Sequence, residues 1–566
     1  MPGRIVVALV LATWAVQPDV AVPRDPYHVT TFCTPVPVAI GRRVAVSNGA
    51  EFQRALDTAT AGDVIALAPG APFRPSAPEG SFVLRNRSIP ANQWVIVRSA
   101  SAAFDESGAI PSNTRVNKSQ AGEMPQIRAI SNNVPAFITE PGARGYRLIG
   151  LDIGGDPSLT QLTNLIELRN GSSDIVIDRS YLHGNDSGNF RRAVVLHGAR
   201  LAVIESYVDN FHDANSDSQS LGGSLGPGPY KIVDNFLEAA SENILFGGSD
   251  PTIPNLVPSD IEIRRNLSTK RLSWRTSGVP VKNAFELKNA RRVLVEGNVF
   301  ENVWPSGQDG ASIVLKSVNQ DGGCRWCVTE YVTFRHNIVR GAAHGVVINA
   351  AETGVRGATM PVKANHIKFE NVLFEDIGSP RWGGGGKLFR VFGGVTDLAI
   401  THVTSRGNPM GIVDPADPAD VNPRLTFKFN IVERKNYGIG WVDEGEKTLA
   451  RNFPSYTYDQ NVLVNTSADT DQAIDRARLE ARYPARTWVV DDWDGVGFDA
   501  GSARLSARSR FHNAAADGKD LGADLDAIAA AQNGPGGSAA CTSSPRPRAE
   551  FFVPRWLVDL AASASR

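Results

Sequence analysis

The hexapeptide IVDNFL, residues 232–237, contains the pattern that decides the fold. The pattern is an apolar residue, two mostly polar residues, an Asn or Ser, and an apolar pair. It recurs as IDRSYL (177–182), VIESYV (203–208), IRRNLS (263–268), VEGNVF (295–300), FRHNIV (334–339), FKFNIV (427–432) and YDQNVL (458–463), and in degenerate form as FENVLF (369–374) and ITHVTS (400–405). The interval between Asn/Ser positions varies from 26 residues (Ser180 to Ser206) to 39 (Asn298 to Asn337). The repeat is therefore irregular in length but persistent.

The residues between these hexapeptides predict short strands. Alternating Val, Ile and Phe are interrupted by Gly, Asn and Asp, and almost no helical periodicity is present. Helical repeats are excluded on this ground, and a leucine-rich repeat is excluded because its leucine ladder is absent. A β-propeller would need antiparallel blades with hairpin signals, which the sequence lacks. We therefore predict a parallel β-solenoid with one coil per repeat, in which the recurring Asn side chains hydrogen-bond along the stack.

A helix is predicted before the first coil. The segment SNGAEFQRALDTATAGDVIALAPG (47–70) begins with Ser47 or Asn48 as a possible N-cap. One helical face is apolar and consists of Phe52, Ala55, Leu56 and Ala59. The strand DVIALAP (63–69) follows directly. A helix in this place would cover the open end of the solenoid, whose first coil otherwise exposes a sheet edge.

Several longer segments resemble a known family. The helix followed by GDVIALAPG (62–70) resembles secreted right-handed parallel β-helix proteins of the pectin-lyase-like superfamily. GPGPYKIVDNFLEAASENILFGGSDP (226–251), VKNAFELKNARRVLVEGNVFENVW (281–304) and DGKDLGADLDAI (517–528) resemble a large bacterial group of right-handed β-helix repeat proteins, over roughly residues 33 to 530. The chain departs from that group at NLSTKR (266–271), where Asn-His and Lys-Pro are expected. The resemblance implies an all-β, right-handed parallel β-helix and export. At the superfamily level it implies a polysaccharide lyase or hydrolase, sometimes an epimerase or a non-catalytic protein.

The composition and the chain ends set the outline of the molecule. A net charge of −1 over 566 residues, with 42% hydrophobic and 21% charged residues, argues against a nucleic-acid or anionic-membrane binder and permits a large core. We predict a signal peptide at 1–22, a β-helix with its cap at 33–465, a closing segment at 466–531 and a disordered tail at 532–566. The expected product is a secreted, extracellular or periplasmic monomer without a membrane span.

The four cysteines predict little chemistry. Cys324 and Cys327, in CRWC, are expected to form a local disulfide, because a zinc site would need a second pair at similar spacing. Cys33 and Cys541 could join the two ends of the chain.

Charge is distributed unevenly over consecutive coils. From Glu205 to Asp250 there are eight acidic residues against Lys231 alone, and from Arg264 to Arg292 there are nine basic residues against Glu286 alone. Coils of a solenoid stack about 4.8 Å apart, so the acid-rich coils should contact the base-rich coils. One interpretation is a solvated ladder of salt bridges, each of which contributes little. The other is a site in which carboxylates hold a cation and Lys or Arg residues bind an anionic sugar.

The second interpretation predicts a polysaccharide lyase acting by β-elimination on a uronate-containing glycan. Glu286 and Lys288, in FELKN, share one face of a strand and resemble the Glu-x-Lys-Ser/Asn element of chondroitinase-B-like and alginate lyases. The resemblance implies Lys288 as the base and nearby acids as calcium ligands. The remaining assignments are Arg292 or Lys270 as acid or carboxylate clamp, and Glu242, Glu286 and Glu238 as Ca²⁺ ligands. Glu238 and Glu242 can meet only if the chain bends at AAS (239–241), and Glu238 could instead pair with a base in the next coil.

Four further residues are predicted to bind the substrate. Trp274 and Arg275 are predicted to form a sugar platform, and Asp217 and Gln219, in DANSDSQS (213–220), are predicted to bind substrate.

Two other functions remain as alternatives. A glycoside hydrolase of the polygalacturonase type would use Asp213 and Asp217. A non-catalytic glycan-binding or cell-surface solenoid is the third hypothesis, in which the charge ladder is purely structural.

Overall fold

A computed structural model describes residue 36 and residues 39–76, 80–169, 171–407, 410–440, 443–466 and 474–533. The predicted signal peptide lies outside this part of the chain, as do Cys33, Cys541 and residues 534–566 of the predicted tail.

The described residues form 37 strands and four α-helices. The strands are β1 Arg43–Val46, β2 Val64–Leu67, β3 Pro72–Phe73, β4 Phe82–Leu84, β5 Val95–Ser99, β6 Gln126–Ala129, β7 Phe137–Thr139, β8 Arg144–Ile149, β9 Asp152–Gly155, β10 Gln161–Leu168, β11 Ser173–Asp178, β12 Tyr181–His183, β13 Asn189–Leu196, β14 Ala199–Ile204, β15 Tyr207–Phe211, β16 Gln219–Gly223, β17 Tyr230–Val233, β18 Phe236–Ala239, β19 Glu242–Gly247, β20 Ser259–Arg264, β21 Leu267–Thr269, β22 Phe285–Lys288, β23 Ala290–Glu296, β24 Val299–Val303, β25 Ala311–Asn319, β26 Thr329–Arg335, β27 Ile338–Ala342, β28 His344–Thr353, β29 Asn365–Ile377, β30 Lys387–Phe392, β31 Thr396–Ser405, β32 Gly411–Asp414, β33 Thr426–Lys428, β34 Ile431–Glu433, β35 Thr457–Asp459, β36 Asn461–Val464 and β37 Thr487–Val490. The helices are α1 Gly49–Thr58, α2 Glu446–Asn452, α3 Arg476–Glu480 and α4 Leu525–Asn533.

Strands of successive coils pair in parallel and form two long sheets. A typical coil contributes two strands to the first sheet, of 26 strands (sheet A), and one strand to the second, of 11 strands (sheet B). In one coil these are β20, β21 and β22, which pair in parallel with β23, β24 and β25 of the next coil. The predicted parallel β-helix is therefore confirmed, and a propeller with antiparallel blades is excluded.

The recurring Asn forms the predicted ladder at one corner of the coils. The backbone N–H of Asn235 donates to Asn266 Oδ1 (2.9 Å), that of Asn266 to Asn298 Oδ1 (2.9 Å), and that of Asn298 to Asn337 Oδ1 (2.8 Å). Each of these side chains is buried. Each Asn side chain bonds to backbone groups that would otherwise be unbonded at the corner. The Asn therefore stabilises the corner, where the strand of the coil is interrupted.

Helix α1 is present where the sequence predicted it. Asn48 is the N-cap, with Oδ1 accepting the Glu51 N–H at 3.0 Å. Phe52 and Leu56 are fully buried, and the Phe52 ring lies 4.6 Å from that of Phe82 in the first coil of sheet B. That the helix closes the end of the solenoid stays a prediction.

The end of the chain continues the solenoid and then folds onto sheet A. Strand β37 pairs with β36, so the sheet extends past the boundary predicted at residue 465. The segment that follows packs on sheet A, where the Ala523 N–H donates to Thr404 Oγ1 at 2.8 Å. Helix α4 contains residue 532, at which the tail was predicted to begin. Within the described ranges, no helix is long and apolar enough to cross a membrane.

The predicted Cys324–Cys327 disulfide is formed. It belongs to a loop that wraps around the Asp250 carboxylate, which accepts N–H groups from Gln320 (2.8 Å) and Gly323 (2.8 Å), among others. This loop borders the outer face of sheet B.

Candidate active site on sheet B

Glu286 and Lys288 face outward from β22, as the sequence predicted. They alternate with Phe285 and Leu287, which are fully buried in the core. The Lys288 Nζ lies 3.7 Å from Glu286 Oε1. The register pairs Leu245 with Glu286, so β19 and its first residue, Glu242, lie in the adjacent coil. The Glu242 carboxyl, at the start of β19, is close enough to Glu286 and Lys288 for their charges to affect one another, so the three side chains form one cluster.

The two glutamates are buried but incompletely hydrogen-bonded. Glu242 Oε2 accepts from Gln219 Nε2 at 2.8 Å, and Glu286 Oε2 accepts from Asn283 Nδ2 at 3.0 Å. Glu242 Oε1, Glu286 Oε1 and Asn283 Oδ1 are buried and have no hydrogen-bond partner among the described residues. Buried polar oxygens are nearly always bonded, so these three atoms on adjacent coils are able to accept a ligand.

Two ammonium groups lie near these oxygens without bonding to them. Lys282 Nζ is 2.6 Å from Asp217 Oδ2 and 3.7 Å from Glu242 Oε1. The Lys288 ammonium is equally distant, at 3.7 Å, from Glu286 Oε1. A separation of 3.7 Å permits ionic attraction but exceeds hydrogen-bond length. Acidic and basic side chains therefore lie next to one another in the cluster, but the unbonded carboxylate oxygens can still accept a ligand.

The charges in the cluster shift each other's ionisation. Burial, followed by repulsion from Glu286 and Asp217, raises the pKa of Glu242 to about 7. Burial on its own lowers the pKa of Lys288, but attraction to Glu286 and Glu242 outweighs it, so that the pKa of Lys288 is raised. The charges that act most strongly on Lys288 are those of carboxylates.

Lys316 and Asn283 also belong to the cluster. Neither was predicted as a site residue from the sequence. Leu315 is the register partner of Leu287, so Lys316 lies beside Lys288 on the next coil. The Lys316 Nζ contacts Glu352 Oε1 at 3.4 Å. The available signal was the match of VLKS (314–317) to ELKN (286–289), which becomes meaningful only when the coils are aligned.

Glu238 is not part of this cluster, which corrects the prediction that it binds the cation. The chain bends at Ala240–Ser241 as expected, but the bend leaves Glu238 in sheet A while Glu242 begins sheet B. The Glu238 Oε1 is 2.8 Å from Arg271 Nη2 and accepts the Asn210 N–H at 3.1 Å. The alternative, that Glu238 pairs with a base of the next coil, is confirmed.

Lys270 is in the wrong place to be catalytic. It is 1% exposed, and its ammonium donates to the carbonyl oxygens of Ala239 (2.9 Å) and Asn283 (2.9 Å), to that of Ser241 and to Asn243 Oδ1. Burial lowers the pKa of Lys270 to about 7. Lys270 instead joins two adjacent coils from inside.

Arg292 also lies outside the cluster. It belongs to β23 of sheet A, and its guanidinium binds both oxygens of Asp260, at 2.6 and 2.8 Å. Such a bidentate pair between neighbouring coils is structural, and it does not place Arg292 at the substrate.

Trp274 is not a sugar platform. It is 5% exposed and packs with Trp304 and Trp382, which come from loops of other coils. The Arg275 guanidinium lies between those two rings, with Cζ 4.8 Å from the Trp304 centroid and 4.7 Å from that of Trp382. The aromatic faces are therefore occupied by protein side chains.

The polar run DANSDSQS contributes Asp217 and Gln219 to the cluster but gives no hydrolase pair. Asp213 is 5% exposed and its Oδ1 accepts the N–H groups of Asn215 (2.8 Å) and Ser216 (3.1 Å), as in a turn. Asp217 is bound to Lys282 instead of facing Asp213. We find no support here for the acid pair that a polygalacturonase-type mechanism needs.

The donor set at Glu242, Asn283 and Glu286 suits a hard cation. Ca²⁺ binds six to eight oxygens, which can include carboxylates, amide carbonyls and waters. Three unbonded side-chain oxygens on adjacent coils supply part of such a shell. Elsewhere in the described chain, Asp250, Cys324 and Cys327 also bring three potential ligand atoms within 4.8 Å, but the two cysteines are bonded to each other.

The coil architecture is that of a parallel β-helix, as the sequence resemblance implied. Among solved structures, the chain is similar to a mutant of the PL6 family alginate lyase AlyGC, with a TM-score of 0.44, 13% identity, and coverage of 90% of this chain but only 60% of that one. It is also similar to the PL6 family polysaccharide lyase Pedsa3628 from Pseudopedobacter saltans, with a TM-score of 0.36, 12% identity, and coverage of 84% and 99%. The pectate lyase Pel9A has a TM-score of 0.36, 13% identity, and coverage of 86% and 97%. No protein-family model and no curated protein matches the chain.

Proposed function

We propose that the protein is a polysaccharide lyase that cleaves an anionic, uronate-containing glycan by β-elimination on the outer face of sheet B. The observation that supports this function is the meeting of Lys288 with two buried glutamates whose Oε1 atoms lack hydrogen bonds. Uronate elimination needs a base for the proton α to the carboxylate, a proton donor for the leaving oxygen, and positive charge at the carboxylate. The cluster contains a candidate for each need.

Lys288 is the base and Lys316 the proton donor. The neutral Lys288 amine takes the C5 proton of the uronate, the C5–H electron pair forms the C4–C5 double bond, and the C4–O4 bond breaks. The O4 oxygen takes a proton from the Lys316 ammonium, which lies one coil away and is 20% exposed. The products are an unsaturated uronate end and a new hydroxyl end, so that atoms and charge balance.

Glu242, Asn283 and Glu286 would hold a divalent cation, with Ca²⁺ as the best match to all-oxygen ligands. A divalent cation held there would offset the charges of the two glutamates and supply a ligand position for the substrate carboxylate, and it would thereby lower the pKa of the neighbouring Lys288 ammonium.

The test is digestion of acidic and neutral polysaccharides by the purified protein. Unsaturated uronate absorbance and reducing ends are recorded together, with Ca²⁺ or with chelator. We expect unsaturated product from an acidic glycan, and a loss of at least about 1,000-fold in Lys288→Met, because this substitution removes the proposed base. Lys368→Met is the matched control, since this lysine is 45% exposed on sheet A and pairs with Glu370 at 2.7 Å.

Two results would contradict the proposal. Reducing ends without unsaturation would show hydrolysis, which this cluster does not explain. Retention of an anionic glycan without turnover, unchanged in Lys288→Met, would favour a glycan-binding solenoid.

A further inference from the structure

The Lys282 ammonium has two carboxylates within reach. It contacts Asp217 Oδ2 at 2.6 Å, and the unbonded Glu242 Oε1 lies 3.7 Å from it. The Lys282 side chain is 15% exposed, whereas Glu242 is fully buried. Lys282 is thus the cation that the protein itself supplies to Glu242, from the side that faces solvent.

Only the side chain of Lys282 is free to change partner. Its backbone N–H donates to the Ala240 carbonyl at 3.2 Å, and the neighbouring Val281 carbonyl accepts the Gly307 N–H at 2.8 Å. The four-carbon stem of a lysine, by contrast, has several rotatable bonds and can move its charge by a few ångströms without moving the backbone.

The two carboxylates differ in what else satisfies them. Glu242 receives one hydrogen bond, from Gln219 to its Oε2, and its Oε1 has none among the described residues. Asp217 is 39% exposed and can be solvated by water. A divalent cation arriving at Glu242 would therefore meet an ammonium that has another carboxylate available.

We propose that Lys282 competes with a divalent cation for Glu242, and that Asp217 limits this competition by holding the Lys282 ammonium. Without a divalent cation, the ammonium is bonded to Asp217 Oδ2 at 2.6 Å and is attracted to Glu242 Oε1 from 3.7 Å; without Asp217 it would bond to Glu242. This inference rests on the cation site proposed above at Glu242, Asn283 and Glu286. Asp217 therefore strengthens cation binding only through its bond to Lys282.

The test is a double-mutant cycle on Ca²⁺ affinity, measured by titration calorimetry at pH 8 without substrate. We expect Lys282→Met to tighten Ca²⁺ binding about tenfold, because a competitor is removed. Asp217→Asn should weaken Ca²⁺ binding about tenfold in the wild-type background, but less than about twofold in the Lys282→Met background. A charge effect at a distance would instead give the same factor in both backgrounds, and that result would overturn the inference.

Lys368→Met serves as the control for charge and for folding, because it removes an ammonium from the other sheet. Thermal melting of every variant establishes that the comparison is between folded proteins. The outcomes separate the two proposals. Ca²⁺ binding with an additive cycle overturns the role of Lys282 alone. Absence of Ca²⁺ binding from all four proteins overturns the cation site together with the role of Lys282, while elimination that persists in chelator would keep the lyase. A coupled cycle in a protein without lyase activity would support Lys282 and contradict the reaction.

Discussion

Glu238 and Glu242 are four positions apart and are both buried, yet only Glu238 has a bonded cationic partner. Glu238, in sheet A, is bound by Arg271 at 2.8 Å and accepts the Asn210 N–H. Glu242, in sheet B, keeps one oxygen without a hydrogen bond, and its nearest cation is 3.7 Å away. Burial is the largest influence that raises the pKa of each. The difference is that the protein supplies a bonded cation for Glu238 but no hydrogen-bond donor for Oε1 of Glu242.

The contrast separates acids that hold coils together from acids that await a ligand. A buried carboxylate whose partner is supplied by the next coil contributes to the stack, as Glu238 does. A buried carboxylate that is left partly unbonded costs free energy, and it is retained where a function offsets that cost. Substitution should therefore affect stability in the first case and binding in the second.

Lys270 should show the largest effect on stability. Its ammonium is buried, is attracted to both acids, and bonds to the carbonyl oxygens of Ala239, Ser241 and Asn283. We expect Lys270→Met to lower the free energy of unfolding by about 3–5 kcal/mol, because several buried acceptors lose a charged donor at once. Denaturant unfolding measures this loss, with the exposed Lys368→Met expected to change stability by less than about 0.5 kcal/mol. A Lys270→Met protein of normal stability but without activity would restore Lys270 as a catalytic residue.

The fold could be predicted because its determinants are local and repeated. The Asn of IVDNFL and VEGNVF recurs at the same corner of many coils, so a pattern that is visible in the sequence predicts a contact between coils. Helix α1 was predictable for the same reason, since its cap, Asn48, and its apolar face lie within a dozen residues.

The site could be predicted only in part, because its contacts join different coils. Glu286 and Lys288 were found from their two-residue spacing on one strand. Trp274 was assigned to substrate although it packs against Trp304 and Trp382, which are distant in sequence. Lys316 was missed because its position beside Lys288 depends on the register of two coils with a loop between them. A single sequence does not contain that register.

Glu242→Gln and Glu286→Gln should show the next largest effect, on binding. We expect each substitution to weaken Ca²⁺ binding by about 100-fold at pH 8, since a ligand charge is removed from a site with few protein oxygens. Stability without Ca²⁺ should stay the same or rise for Glu242→Gln, because a buried charge with an unbonded oxygen is removed. Titration calorimetry measures the first effect and thermal melting the second.

Glu238→Gln is the matched control for these two variants, since it removes a buried carboxylate of the same length from the adjacent sheet. Its Ca²⁺ affinity should stay within about twofold of wild type. Equal loss of Ca²⁺ binding in Glu238→Gln and Glu242→Gln would show that the two acids act together, and would remove the distinction drawn between them.

Arg271→Met should show the smallest effect of the three, and this effect should depend on pH. Arg271 is the cation that offsets the burial of Glu238, whose pKa is nevertheless raised. Below about pH 4 the carboxyl is protonated in both the folded and the unfolded states, so the loss of Arg271 costs little. As the pH rises above about 4.5, the unfolded state ionises first, and the folded variant must keep its proton or bury an unpaired charge. We therefore expect a loss of unfolding free energy that grows with pH to about 2 kcal/mol at pH 8, less than for a fully buried pair because the Arg271 side chain is 30% exposed.

Denaturant unfolding at pH 4 and pH 8 measures this loss, and Arg271→Met/Glu238→Gln should recover most of the loss at pH 8. A loss that is independent of pH and persists in the double variant would instead come from the contact of Arg271 with the Trp274 ring, whose centroid is 5.7 Å away, and Glu238 would then resemble Glu242 in having no partner that matters.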